Sequence, residues 1–427
     1  MSANGHKKLD GRTLYMPPMT QGGARILASV FRSNGIDAHP TPQSDERTLE
    51  LGSMYSEGDE CLPKIITLGD FLKITEADKF DPAKTAFLMP TANGPCRFGQ
   101  YRRALEKIID KKGFDEIMIV NPNSKNGYEG VSGDGISFYR LAWLALVVSD
   151  IVRKMLLKTR PYEKNAGETD RVYDEGLTSL EKVFEIQSVS FSEKKKALHT
   201  ELTKLRDRFR AIDAEYTRDK PLVAVVGEIF CRHNRYSNDD ILTKLEEYGA
   251  ETWIADVGEW IMYTDWSRME NLKRWGDHFS KEMISKKIKR FVMKRDEHYL
   301  LNIFRDDFKG YEEPHDTVEM ADYAEPYLPS YGALGEMSLS IGRSVWSYHK
   351  GVDGIVDISP FSCMNGIVSE AVYPSISNDH NDIPCRVFYF DGINTDLDRD
   401  VGIFMELVRG YNSRKSIRRE YPDYFSV

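Results

Sequence analysis

The sequence has no uninterrupted apolar stretch of the ~18 residues that a membrane-spanning helix needs. Its first residues, MSANGHKKLDGRTLY, lack the apolar core of a secretion signal. The net charge is −9, and no long basic block offsets it, which disfavours a nucleic-acid partner. We therefore expect a cytoplasmic protein with neither a membrane nor a nucleic acid as its partner.

Cysteine is also scarce, with five residues in 427 and no close pair. This number and spacing exclude a disulfide framework and favour reduced thiols. Glycine and proline are not enriched enough to indicate disorder, and 41% of the residues are hydrophobic. A chain of this length and composition is expected to form two or three globular domains.

The distribution of apolar residues predicts an α/β fold, because short apolar runs alternate with patterns typical of helices. We expect two Rossmann-like, doubly wound lobes with additional helical segments and a ligand site between the lobes. The predicted divisions are a first α/β lobe (1–132), a helical segment (133–220) and a second α/β lobe (221–427) with a helical insertion near 257–340.

Individual elements follow from the same patterns. Strands are expected within 13–18, 84–90, 114–122, 221–230, 351–366 and 383–392, and helices over 22–35, 97–109, 238–248 and 396–410, with GAETWIAD continuing the α/β pattern after the 238–248 helix. A heptad-like stripe within the helical segment predicts core packing, with a seam for a partner helix as the alternative; it consists of Leu198, Leu202, Leu205, Phe209 and Ile212.

The five cysteines differ in their backbone context. Cys231 and Cys385 lie in or beside apolar runs and are expected to be buried structural thiols. Cys61, Cys96 and Cys363 each lie near Gly or Pro, in a loop that is expected to lead into a helix. A helix N-terminus favours the thiolate, which is the form that binds metals and acts as a nucleophile. These residues alone leave three interpretations open, namely a shared metal site, a nucleophilic cysteine and unrelated structural thiols.

Five segments, in this order, resemble the 2-hydroxyacyl-CoA dehydratase family, most closely the branch encoded with or fused to activator ATPases. They are GDECLPKIITLGDFL, MPTANGPCRFGQYRRAL, RPYEKNAGETD, VGEIFCRHNRYSNDDILTKLEEYGAE and ISPFSCMNG. The resemblance implies two Rossmann-like lobes and a [4Fe–4S] cluster that is bound through three cysteines. Carried over residue by residue, the ligands are Cys61, Cys96 and Cys363, and Cys231 and Cys385 are not ligands.

The resemblance also implies a function. An ATP-dependent iron–sulfur activator would deliver a low-potential electron to an oxygen-sensitive cluster, and the electron would drive radical dehydration or reduction of a small substrate, such as an acyl-CoA. A homologous second subunit or a homodimer is implied as well. One alternative is a non-catalytic scaffold subunit that supports a paralogous cluster-bearing subunit, and another is a zinc or thiol enzyme that uses Cys96.

Four further positions are candidates for this site. Glu228 is expected to act as a general base or to hydrogen-bond near the cluster, with a structural cap as the alternative. His233 lies in the same loop and is a second candidate catalytic residue. Arg97 would offset the charge of the cluster or lie on the solvated surface. Arg160, in RPYE, would bind a carboxylate or phosphate, unless this motif only ends a helix.

Overall fold

A computed structural model describes residues 9–92, 94–122, 135–329, 335–393 and 396–426. The chain divides into two compact units. The first comprises Met1–Asp150, Glu175–Lys204 and Ile261–Leu300, and the second comprises Ile151–Asp174, Leu205–Trp260 and Leu301–Val427. The predicted boundary between residues 132 and 133 lies outside the described residues.

Each unit contains a four-stranded parallel sheet, so the prediction of an α/β protein with two such sheets is confirmed. The first sheet has the order β2-β1-β3-β4 and the second β6-β5-β7-β8. The strands are β1 Thr13–Met16, β2 Ala38–Pro40, β3 Thr85–Leu88, β4 Met118–Val120, β5 Leu222–Gly227, β6 Glu251–Ile254, β7 Gly354–Pro360 and β8 Cys385–Phe390.

The described part of the chain is otherwise mainly helical. Its α-helices are α1 Gln21–Ser33, α2 Glu46–Met54, α3 Leu62–Ile74, α4 Tyr101–Lys111, α5 Gly135–Thr159, α6 Glu168–Glu185, α7 Phe191–Arg210, α8 Ile229–His233, α9 Ile241–Glu247, α10 Val257–Arg274, α11 Lys281–Leu301, α12 Thr317–Ala324, α13 Glu336–His349, α14 Met364–Asp379 and α15 Leu397–Arg414. In the described residues, no helix is both long and apolar enough to cross a membrane.

In the first unit, two helices pack unusually closely beside the sheet. A Cβ atom at Gly52 of α2 would lie 2.0 Å from the carbonyl oxygen of Ile65, and one at Gly69 of α3 would lie 1.8 Å from that of Thr48. Only glycine permits this backbone approach. From α3, Phe71 stacks on Phe87 of β3 with a centroid separation of 4.4 Å. These contacts fix the position of α3 and of the residue that precedes it, Cys61.

In the second unit, β5 and β7 are buried at every position. Parallel strands covered on both faces are typically continuous apolar runs, which explains why β5 was predictable from sequence, whereas β7 also buries Asp357 and Ser359. At the end of the pair, Gly227 lies opposite Ile358. Both strands therefore end close together, and the residues that follow them, Glu228 and Phe361–Cys363, begin at the same edge of the sheet.

Two local predictions need correction. The helix expected to begin at Arg97 begins as a 3₁₀ turn, Arg97–Gln100, in which the Gly99 N–H donates to the Cys96 carbonyl, and the α-helix starts only at Tyr101. Strand β2 was not predicted because three residues are too few to show an alternating pattern. The stripe from Leu198 to Ile212 is buried at all five positions, which confirms core packing.

Candidate functional site

The three cysteines singled out by the sequence share one backbone position. Cys61, Cys96 and Cys363 are the N-cap residues of α3, of the 3₁₀ turn before α4, and of α14. Each has an extended backbone, and none uses its side chain to cap its helix. An N-cap position normally carries Ser, Thr, Asp or Asn, whose oxygen satisfies the first amides. At all three positions a cysteine sulfur therefore replaces the side-chain oxygen that usually caps a helix.

In the first unit, Cys61 and the turn that follows Cys96 are neighbours. The Cys61 sulfur lies 2.8 Å from the Tyr101 hydroxyl, and Tyr101 begins α4 directly after the 3₁₀ turn. Cys61 is buried, whereas Cys96 and Arg97 are exposed. The Cys61 sulfur thus contacts a hydroxyl group in the interior of this unit, whereas Cys96 lies at its surface.

In the second unit, Cys363 lies at the carboxyl end of β7 and is half-buried. The pKa of its thiol is raised to about 12, first by burial and then by the charge of Glu228, with a smaller contribution from Glu336. The backbone N–H groups of Gly366 and Asn365 act in the opposite direction. The thiol therefore keeps its proton at neutral pH unless a cation replaces it.

Two carboxylates near Cys363 hydrogen-bond to the first turn of α8, and one of them, Glu228, is its N-cap residue. Glu228 accepts hydrogen bonds from the Cys231 and Phe230 amides at 2.7 and 3.2 Å. Glu336, the first residue of α13, accepts one from the Ile229 amide at 2.9 Å. All three leading amides of this helix are therefore satisfied by two acidic side chains that are 108 residues apart in sequence.

Burial raises the pKa of both carboxyl groups. For Glu336 the pKa is well above the usual value, because burial and the charge of Glu228 both favour the neutral acid. For Glu228 burial also dominates, opposed by the two amide hydrogen bonds and by Arg232. Two nearby buried carboxylates cannot both ionise without cost, so this pair retains a proton to higher pH than an ordinary glutamate.

Arg232 is a buried cation of this region. It donates to the Gly227 carbonyl at 2.9 Å. Its positive charge partly offsets the rise that burial causes in the pKa of Glu228, Glu336 and Asp357. Asp357 lies in β7 and accepts from the Tyr373 and Ser359 hydroxyls at 2.7 and 2.8 Å. Its pKa is also raised by burial.

His233, a candidate catalytic residue, is buried next to two arginines. Its Nδ1 contacts the Arg153 guanidinium, and its Nε2 lies 3.3 Å from Nε of Arg232. Burial and these two positive charges hold the pKa of His233 well below its usual range. It is therefore neutral at physiological pH, and its contacts position Arg232.

The remaining motif residues have structural partners. Arg160 forms a two-pronged ion pair with Glu246, at 2.7 and 3.0 Å, and also pairs with Asp170. Glu163 accepts from the Gly167 and Thr169 amides. Arg160 thus binds carboxylates of its own unit, and α5 ends directly before it.

The two cysteines expected to be structural differ in burial. Cys231 is fully buried within α8, as predicted. Cys385 begins strand β8 and is half-buried. None of the five cysteines, all of which the structure describes, forms a disulfide.

The second unit thus brings together Glu228, Arg232, His233, Glu336, Asp357 and Cys363, which we call the β5/β7 site. Sequence reasoning found Glu228, His233 and Cys363 but missed the other three. Within the described residues, no group of three or more His, Cys, Asp or Glu side chains is arranged to hold a metal ion. No protein-family model matches this chain, and no curated protein matches it either.

Proposed function

We propose that the protein binds one [4Fe–4S] cluster through Cys61, Cys96 and Cys363 and acts in reduction or radical dehydration of a small substrate. An ATP-dependent activator protein would supply the electron. The observation that carries the proposal is the shared position of the three thiols, each at a helix N-cap and none used as a cap. The proposal requires thiols from both units at one cluster.

The donor set fits such a group. Thiolates are the ligands that iron–sulfur clusters use. A helix N-terminus favours negative charge on sulfur, but at Cys363 burial and the charge of Glu228 outweigh this effect and raise the pKa of the thiol. The Tyr101 hydroxyl at Cys61 and the Gly366 and Asn365 amides at Cys363 are hydrogen-bonding groups of the kind that tune a cluster. The high pKa of the Cys363 thiol means that cluster binding would release a proton there.

Cys61, Cys96 and Cys363 would hold the cluster, which would pass on the activator's low-potential electron and act as a Lewis acid toward a substrate oxygen. Residues of the chain would carry out the proton transfer. Burial and the charge of Glu228 raise the pKa of Glu336 well above its usual value, so the Glu228–Glu336 pair holds a proton to higher pH than an ordinary glutamate. A neutral carboxylic acid beside Cys363 is suited to protonate a leaving hydroxyl group, and Arg232 offsets the charge that remains.

Anaerobic reconstitution with iron and sulfide, followed by metal and sulfide analysis, tests this function. We expect iron and acid-labile sulfide in equal amounts, at about four of each per chain. Stoichiometric zinc with no sulfide would instead identify a zinc or thiol protein. A protein that stays colourless and free of iron would contradict the proposal and favour the scaffold alternative.

A further inference from the structure

The first unit carries a strongly basic segment, residues 268–295, which we call the basic hairpin. It includes the end of α10, the turn that follows and most of α11. It contains ten Lys and Arg but three Asp and Glu. With the flanking Asp265, Asp296 and Glu297, which pair with its basic side chains, residues 265–297 still carry a net charge of +4 within a chain whose net charge is −9. Such a local concentration of one sign in an otherwise acidic protein indicates an anionic binding partner.

The same hairpin exposes large apolar side chains. Phe279 in the turn is 92% exposed and Trp275 is 65% exposed, and on α11 the exposed residues are Ile284, Ile288 and Phe291 at 50%, 60% and 67%. The α11 residues are spaced by four and three positions, so they form one stripe along one face of the helix. Five exposed residues of this size in one segment mark a binding surface.

Internal packing does not account for this stripe. The hairpin has its own buried apolar cluster, formed by Met269, Leu272 and Met283. An ion pair between Arg268 of α10 and Glu282 of α11, at 2.7 and 2.9 Å, further joins the two helices. The hairpin is thus held together by other residues, and its exposed apolar side chains are available for another surface.

The basic residues separate into two groups. Lys286 and Lys289 face Asp265 of α10, at 2.8 and 3.7 Å, and so belong to the structure of the hairpin. By contrast, Lys281 and Lys287 are exposed beside the apolar stripe, as is Arg295, which also lies 3.8 Å from Asp296. The outward-facing pattern is therefore an apolar stripe with positively charged neighbours.

This pattern discriminates among possible occupants. Nucleic acid would use the positive charge but not a row of Ile and Phe side chains. A second copy of the chain, paired stripe to stripe, would bring like charges together, because Lys281, Lys287 and Arg295 are all basic. An anionic lipid surface uses both features, since it buries Trp and Phe at the interface and attracts Lys and Arg beside them.

We propose that the basic hairpin docks the protein on an anionic lipid membrane, with Trp275, Phe279 and the Ile284–Ile288–Phe291 stripe entering the interface. The expectation of no membrane partner rested on the lack of a spanning segment, which surface docking does not require. This inference is independent of the cluster and applies equally to the protein without it.

Sedimentation with phosphatidylcholine vesicles, with and without phosphatidylglycerol at about three lipids in ten, tests the proposal. We expect binding to the anionic vesicles that is strongly reduced in 0.5 M salt, and little binding to pure phosphatidylcholine. The double variant Phe279→Ser/Phe291→Ser should weaken binding by about tenfold or more, since each ring loses its buried area. Replacing Lys281 by Gln should weaken binding about fivefold at low salt.

The matched control is Ile403→Ser/Leu407→Ser on α15, which removes two exposed apolar residues, 50% and 59% accessible, from the other unit. It should bind vesicles as the wild type does, and thermal melting should show that all variants are folded. Failure of the wild type to bind anionic vesicles would overturn the proposal. The proposal would also be overturned if the Phe279→Ser/Phe291→Ser variant bound anionic vesicles as tightly as the wild type does. A third contradicting result would be a hairpin-dependent complex with an acidic protein and no binding to vesicles.

Discussion

Replacing Cys363 by alanine is expected to remove the cluster and leave the fold intact. The reconstituted variant should contain less than about one iron per chain, against about four in the wild type, because two thiolates do not hold a cubane stably. The side chain is small and half-buried at an N-cap that it does not cap, so its loss should change stability little. Iron analysis and thermal melting of the same preparation measure both effects.

Cys385→Ala is the matched control for this prediction. Both thiols are half-buried, and burial raises the pKa of both to about 12, but Cys385 lies in strand β8 and not at a helix N-cap. We expect Cys385→Ala to retain full iron content, whereas Cys61→Ala and Cys96→Ala should lose it. Iron loss in Cys385→Ala, or full iron content in Cys363→Ala, would be incompatible with the assigned ligands.

Gly227→Ala is expected to have the largest effect on stability. A Cβ atom at this position would lie 2.2 Å from the Ile358 carbonyl oxygen and 2.5 Å from its nitrogen, both backbone atoms that cannot move aside. The φ of +114° adds strain, because side-chain-bearing residues rarely adopt it. We expect a loss of about 3 kcal/mol or more and a fall of roughly 6–12 °C in the unfolding midpoint.

Gly410→Ala in α15 provides the comparison, because a Cβ atom there meets nothing within 4 Å. It should be neutral or should stabilise by up to about 1 kcal/mol, as alanine does in exposed helix positions. Since Glu228 follows Gly227, the Gly227→Ala variant should also lose the β5/β7 site. Equal melting temperatures for the two variants would show that the close approach of β5 to β7 is not required.

The sequence predicted correctly those features that depend on the residues of a single helix, strand or turn. The run PLVAVVG predicts a buried parallel strand because both its faces are covered, and the structure places β5 there. The loop residues beside Cys61, Cys96 and Cys363 similarly predict a turn into a helix, and all three are N-caps. These features depend only on neighbouring residues, which the sequence displays directly.

Contacts between distant segments could not be predicted in the same way. Glu336 reaches the Ile229 amide from the start of α13, and no motif links these positions. The partner of Arg160 was also not predictable from sequence, because a guanidinium in RPYE can bind a ligand phosphate as well as the Glu246 carboxylate that it does bind. The partner of a charged side chain follows from the packing of whole elements, which a single sequence does not specify.

Mössbauer spectroscopy of the anaerobically reconstituted protein tests the central claim most directly. Three cysteine ligands on a four-iron cluster leave one iron with a different ligand, so two iron environments are expected in a ratio of about three to one. The minority environment should change when a small oxygen ligand is added, and the majority environment should not. Four equivalent irons would contradict the three-cysteine assignment, and the absence of any iron–sulfur signal would contradict the proposed function itself.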